Sequence, residues 1–409
     1  MAQTALKKVV IIGSGFGGLR ALYRLSEYHY RFEVTMVDRH DYSLERPALP
    51  EVALEEKPVE AVHIETPPQF RKHNAAFEQG EVVRIDTDAQ KVVLDSGTEL
   101  SYDYLIIASG AVKDYDAIKG YREYGYSVCD DREAVRLHEH LKTFESGKIV
   151  TGAAKSEFGT QVDAPPLKAP CEGPIGEVMF MLDHRLRKSG KREESSIDVF
   201  SPSEIFFEDV GDKAREPVAK LMEKKNIALH TAKELVEITK DAVLFADGSS
   251  LPCDLAIIIP PYKAPDFIAQ SGLGDDKGWV PTDKTMQHLT FDNIYAVGDV
   301  NALAQPKLGH VAINQADVAV SAILKAEGIA DEVVAFNPEV FCIMNMGGHD
   351  AVLIYSNALY NGAYDMAWHS PMAKLMKVSF DEEYHYTHGH MPPDVAVEAL
   401  EEILHRFAK

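Results

Sequence analysis

A short unbroken apolar run, Val9-Val10-Ile11-Ile12, follows Lys7 and Lys8 and gives way at once to glycines. Runs of this kind form strands covered on both faces of a parallel sheet. From Leu19 to Leu25 the apolar positions recur at helical spacing, and Glu33 to Val37 reads as another strand, so the opening predicts a strand-helix-strand unit. Tyr104 to Gly110 and Thr290 to Asp299 are further strands that end in small residues. A second unit is expected from Lys148-Ile149-Val150, with a helical pattern around Gly176 to Lys191 and a strand from Ser196 to Phe200. Beyond Gly328 the pattern changes to an aromatic and Met-rich tail. Ser370 and Pro371 read as an N-cap and first-turn proline. The helix they open would carry Met372, Leu375 and Met376 on one face and Lys374 and Lys377 on another. The last stretch, Asp394 to Phe407, aligns Ala396, Ala399, Leu400, Ile403, Leu404 and Phe407. Both faces either pack on the protein's own core or lie at a membrane surface.

Composition narrows the classes. The 409 residues suffice for two or three domains. Forty-two Lys plus Arg against 64 Asp plus Glu leave a formal charge of -22, which repels nucleic acid and anionic lipid headgroups. No apolar run is long enough for a membrane-spanning helix, and the first one passes into glycines without a cleavage-site pattern, so no signal peptide is expected. Four cysteines (Cys129, Cys171, Cys253 and Cys342), widely spaced and without CxxC, fit neither a disulfide framework nor a zinc site. His385, His388 and His390 read as a solvated loop, and no metal is expected.

The candidate chemistry begins in the first turn. Gly13-Ser14-Gly15-Phe16-Gly17-Gly18 sits between strand and helix, with Asp38 twenty residues beyond Gly18 at the end of the next strand. Gly13 permits a tight turn, Gly15 lets the backbone approach a pyrophosphate, Gly18 allows close helix-strand packing, and Asp38 can accept from a ribose hydroxyl. The expectation is an α/β protein of two Rossmann-like dinucleotide-binding domains. The first comprises residues 1–145 and 276–327, the second 146–275, and 328–409 form an amphipathic, membrane-facing C-terminal region. In the second half the turn, Thr151 to Gly159, lacks the glycine spacing, so no nicotinamide site is expected there.

Ala108-Ser109-Gly110 and Gly298-Asp299 resemble the later signatures of two-dinucleotide-binding flavoproteins of the disulfide oxidoreductase type, which implies FAD. Arg39, Val83, Lys307, Leu308 and Gly309 join Gly13 to Gly18, Asp38 and these residues as candidate FAD contacts. With Arg46-Pro47-Ala48-Leu49-Pro50, Pro260-Pro261-Tyr262, Pro306-Lys307-Leu308-Gly309 and the segments around Cys129, Cys171 and Cys342, the chain resembles nearly end to end the sulfide:quinone oxidoreductases, particularly the archaeal type.

That resemblance implies a redox pair, Cys171 and Cys342, attacked by hydrosulfide through thiol-disulfide exchange, with Cys342 the sulfur nearer the flavin. It implies Cys129 as the third family cysteine, in some members linked covalently to the flavin. Tyr42 and Phe380 correspond to aromatic positions on the quinone. A helix N-terminus beside Cys171 is expected to lower its pKa. Glu172 is a local base or a capping residue, and Cys253 is structural. The implied partners are sulfide, membrane quinone and a bilayer surface, on the cytoplasmic face, with self-association into a homo-oligomer. Competing functions are a type II NADH:quinone oxidoreductase, which needs the missing nicotinamide site, and a flavin subunit docking to a cytochrome.

Overall fold

The computed structural model describes residues 5–162 and 164–408; the outer limits of the expected domains, at 1 and 409, lie outside them. The apolar run of the first strand becomes Lys7–Ile12 at the centre of a five-stranded parallel sheet. Phe32–Asp38 and Ala75–Gln79 lie on one side of it, Tyr104–Ile107 and Ile294–Ala296 on the other. Helices Phe16–Ser26 and Gly309–Ala326 pack against each other beside this sheet. Side chains alternate between two cores: Val9, Ile11, Val34 and Met36 face the helices, while Val10, Ile12, Leu105 and Ile107 face Phe267, Ile268 and Leu273. Both faces are thus buried, as an unbroken apolar strand requires.

The second sheet is also parallel. Its order is Gly125–Tyr126, Leu255–Ile259, Lys148–Ala153, Ser196–Phe200, Ala228–His230. The chain crosses between the two sheets through a short antiparallel pair, Val112–Lys113 with Tyr262–Lys263. After Lys148–Ala153 it does not turn directly into a helix. A long loop runs to Cys171, and the helix opens only at Gly173, ending at Lys188.

The C-terminal region is an antiparallel sheet, Val340–Asn345, Ala351–Ser356 and Asp365–His369, carrying helices Pro371–Tyr386 and Asp394–Phe407. Ser370 is the expected N-cap, its Oγ accepting from the Met372 amide. The helix it opens turns its lysine side inward and part of its apolar side outward. Lys377 is 4% exposed, whereas Met372 and Leu375 are 52% and 56% exposed. The lysines turn inward because acids meet them, mostly from other elements: Lys374 lies 3.6 Å from Glu51 and 3.8 Å from Glu55, and Lys377 lies 4.0 Å from Glu177 and 3.7 Å from Asp381 one turn on in the same helix. The last helix divides as well. Leu404 and Leu400 join the sheet's core, while Ile403 and Phe407 stay exposed.

Candidate active site

The glycine turn behaves as its spacing requires. Gly13 has φ +99°, and a Cβ there would collide with the Ala108 carbonyl. A Cβ on Gly18 would overlap the carbonyl of Gly13, so helix and turn meet only through glycine. At Gly15 nothing lies within 4 Å of a built Cβ, leaving the backbone open to a ligand. Asp38 Oδ2 accepts from the Ser14 amide at 2.7 Å and its hydroxyl at 2.8 Å, and Oδ1 accepts from the His40 amide at 2.9 Å. Its remaining lone pairs can still take a ribose hydroxyl. Arg39 is exposed in the bend that follows Phe32–Asp38, and Val83 is exposed on the strand Val82–Asp86 of a separate antiparallel sheet.

The later signatures come to the same edge of the sheet. Gly17 sits against Val297 and Ala312, and Gly309 against the ring of Phe16. The Ser109 hydroxyl is buried without a partner, beside Gly110 at φ +68°. Gly298 is held at φ +76° with its amide donating to Gln315. Open backbone at Gly15, an orphaned hydroxyl at Ser109 and the carboxylate of Asp299 fit a flavin dinucleotide laid across the C-terminal strand ends.

The thiols gather beside this cradle. A Cβ at Gly173 would lie 3.4 Å from Cys342 Sγ and 3.8 Å from Cys171 Sγ, so the two sulfurs flank one point despite 171 residues of separation. All four cysteines are free thiols. Gly173, Phe207, Asp209, Val210, Leu308, Val340, Cys342 and Ile354 enclose a small apolar cavity. Leu308 thereby reaches the thiol cavity while its neighbour Gly309 touches the glycine turn through Phe16. The Lys307 amide donates to the Pro170 carbonyl at 3.0 Å, tying the Cys171 segment to the same loop.

Burial, not the helix terminus, sets the thiol chemistry. Cys171 is held well above the ordinary thiol range by desolvation, with Asp209 and Cys342 adding to it. The Gly173 amide acts in the opposite direction and is outweighed, so the expected lowering does not occur. Burial pushes Cys342 up to about 12. Cys129 is buried and raised too, and the Tyr262 hydroxyl donates to its sulfur at 3.6 Å. Cys253 belongs to the core on the far side of the second sheet, with Val150 and Ile258.

Two lysines here carry weakened charge. Burial lowers Lys307 to about 7; its amine donates to the Asp299 and Asn301 carbonyls at 2.6 and 3.3 Å and lies 3.9 Å from the Trp279 ring centroid. Burial and Arg46 lower Lys113 to about 8; it lies 4.0 Å from Asp299 and 4.1 Å from the Tyr262 ring. Sequence reasoning missed Lys113, Phe207 and Asp209. An isolated Val-Lys pair after the Ser109-Gly110 turn was the available signal for the first. Glu172 points away from solvent, with Oε2 accepting from the Phe207 amide at 2.6 Å and from Glu208 at 3.4 Å, and burial pushes it up to about 8.

Tyr42 and Phe380 are not brought into ring contact among the described residues. Tyr42 stacks on His63 at 3.9 Å and donates to Asp131 at 2.9 Å. Phe380 stacks on Tyr384, which stacks in turn on Phe16 of the glycine turn at 4.8 Å. The histidines near 388 close onto the first helix, where the Tyr23 hydroxyl donates to the His388 carbonyl.

The pyridine nucleotide-disulphide oxidoreductase family model matches residues 7–155 and 182–320, passing over the loop that carries Cys171. The chain is 28% identical over 313 residues to the sulfide-quinone reductase of Aquifex aeolicus, covering 73% of this chain and 69% of that protein. It is 25% identical over 315 residues to the mitochondrial sulfide:quinone oxidoreductase of Mus musculus, covering 73% and 67%. The solved sulfide:quinone oxidoreductase of Aquifex aeolicus superposes with a TM-score of 0.85 at 23% identity, over 97% of this chain and 95% of that one.

Proposed function

The chain belongs to the pyridine nucleotide-disulphide oxidoreductase family, and within it we propose that this protein is an FAD-dependent sulfide:quinone oxidoreductase. The observation that carries the reading is the meeting of Cys171 and Cys342 around Gly173, one residue removed, through Leu308 and Gly309, from the dinucleotide cradle. A pair of thiols with Cys342 in the wall of an apolar cavity, beside a flavin site, suits two-electron oxidation of a small sulfur nucleophile.

The residues divide the work as follows. Gly13 to Gly18, Asp38, Ser109, Gly110, Gly298 and Asp299 would hold FAD, with Arg39, Val83, Lys307, Leu308 and Gly309 along its length. When bound, FAD accepts two electrons from the sulfur side and passes them to quinone. On the protein, hydrosulfide attacks one sulfur of the oxidised Cys171–Cys342 pair, leaving a persulfide on one cysteine and a thiolate on the other. The pair closes again around the added sulfur, so each hydrosulfide gives up two electrons and one proton. Asp209 lines this cavity with Oδ1 unpartnered and its carboxyl pushed up to about 6 by burial, which makes it the proton acceptor at hand. Cys129, beside Tyr262 and Lys113, is the thiol for a covalent flavin link.

We assign 1–145 with 276–327 to FAD, 146–275 to a second half without a nicotinamide site, and 328–409 to quinone and membrane, with Gly125–Tyr126 of the first range lending a strand to the second sheet. Phe380 and Tyr42 serve the quinone. Among the described residues no helix is long and apolar enough to cross a membrane. Met372, Leu375 and Val378, exposed together on the Pro371–Tyr386 helix, support docking to the bilayer surface, with Val395 and Phe407 exposed on the next helix. Apolar burial rather than charge drives that contact, because a chain of charge -22 gains nothing from anionic headgroups. The cytoplasmic face and a homo-oligomer complete the reading.

The test is anaerobic visible spectroscopy of the purified protein, with sulfide in one cuvette and NADH in another, then decylubiquinone in each. Sulfide bleaches the flavin, quinone restores it, and Cys171→Ser or Cys342→Ser abolishes the bleaching. Bleaching by NADH and not by sulfide refutes the proposal.

A further inference from the structure

The cavity beside Cys342 offers a water-sized sphere only about 10 Å³, room for a single small atom. One of its walls is unlike the others. Val340, Ile354, Leu308 and Val210 are aliphatic side chains on ordinary backbone, whereas Phe207 has φ +56°, a conformation that bulky residues avoid. What holds it there is next to the redox pair. Glu172, the residue after Cys171, is 2% exposed and accepts from the Phe207 amide at 2.6 Å. Arg215 donates to the Val210 carbonyl and fixes the other end of the loop. The ring then leans on Phe206, at 4.3 Å between centroids, and a Cβ on Gly176 would overlap Met344 Sδ and lie 2.9 Å from the ring's edge, so both pack closely on that glycine.

Strain maintained by a buried carboxyl, at the wall facing a reactive sulfur, has a function to match. We propose that Phe207, pinned by Glu172, sets how many sulfur atoms the Cys171–Cys342 pair carries before product leaves. This rests on the sulfide-oxidising reading above. Each added hydrosulfide exchanges one S–S bond for another; when the bridge closes with one sulfur more, two electrons have left by way of the flavin for the quinone, and the single proton has gone to Asp209. The growing chain needs space, and the ring of Phe207 is the wall that denies it. Glu172 is accordingly a positioning residue: both its neutral and amide forms can accept from the Phe207 amide, so the proton on it is not what matters.

The experiment uses the full-length, FAD-loaded protein with sulfide and decylubiquinone under anaerobic conditions. Released sulfanes are trapped with monobromobimane and their lengths read by mass spectrometry. Phe207→Ala shifts the distribution longer by one sulfur or more. Gly176→Ala, whose methyl crowds Met344 and the ring's edge together, shifts it shorter. Glu172→Leu reproduces the Phe207→Ala shift, and Glu172→Gln keeps the original lengths. Unchanged lengths in Phe207→Ala, in protein that sulfide still bleaches, overturn the inference. Where Phe207→Ala yields no yellow protein, Gly176→Ala decides by the opposite shift, and unchanged lengths there overturn it equally. Absence of sulfide bleaching in the unaltered protein is a different result: it removes the sulfide-oxidising reading itself, and this inference with it.

Discussion

Replacing Lys377 by methionine isolates the electrostatics of the C-terminal region. Its amine is buried, donates to the Pro47 carbonyl at 3.1 Å, and lies 3.7 Å from Asp381 and 4.0 Å from Glu177. Around it four buried carboxyl groups, Glu45, Glu51, Glu177 and Asp381, share this lysine, Lys57, which pairs with Glu51 at 2.8 Å, and Lys374, 3.6 Å from Glu51. The acids already outnumber their compensation: burial and Asp381 push Glu45 up to about 8, and burial pushes Glu177 to about 7. Methionine fills nearly the same volume, so little of the effect comes from packing. Breaking a buried pair by removing one partner costs about 3–5 kcal/mol. The sign with pH follows. Without Lys377, Glu177 and Asp381 hold protons in the folded state at pH values where the unfolded chain has lost them. The folded form then binds more protons, and its stability falls as pH rises from the ordinary carboxylate range through the folded pKa. Urea midpoints measured at pH 5 and pH 8 should therefore show the larger deficit at pH 8. The double variant Lys377→Met, Glu177→Gln should recover part of the loss, which a thermodynamic cycle reads directly. A variant as stable as the parent at pH 8, or a deficit identical at both pH values, refutes the reasoning.

Gly18→Ala places a methyl on the Gly13 carbonyl and should yield folded protein with little FAD, read as the ratio of visible to protein absorbance; full flavin content would contradict the cradle. With Cys342 pushed up to about 12 and Cys171 raised by burial, alkylation of the reduced pair should be slow near neutral pH and keep accelerating beyond the range of free cysteine, whose pKa is about 8.5; a plateau there would show the thiols to be less desolvated than drawn. Met372→Glu with Leu375→Glu should release the protein from neutral vesicles in a flotation assay without altering sulfide bleaching in detergent, and retained binding would move the membrane contact elsewhere.

What could be read from the sequence was local. The strand, glycine turn and helix from Lys7 to Ser26, with Asp38 beyond, follow from residues near one another in the chain, since backbone conformation at Gly13 and contact at Gly18 are decided within a few positions. The same holds for the Ser370 cap. The errors arose where a distant element supplied the deciding partner. The inward turn of Lys374 and Lys377 could not be read from their helix, because the acids that meet them include Glu51, Glu55 and Glu177 of other elements. Cys171 read as a lowered thiol because its helix terminus is adjacent in sequence, whereas burial in the fold outweighs the Gly173 amide, and Asp209 and Cys342, distant in sequence, add to it. Phe207 left no pattern at all: neither apolar periodicity nor a turn residue marks it, and only the fold shows that Glu172 holds it against the thiols. One lesson about this site follows from that contrast. The cofactor cradle is built from backbone, so glycines announce it, while the sulfur cavity is built from side chains of separate elements, and residues that shape its chemistry become visible only when those elements meet.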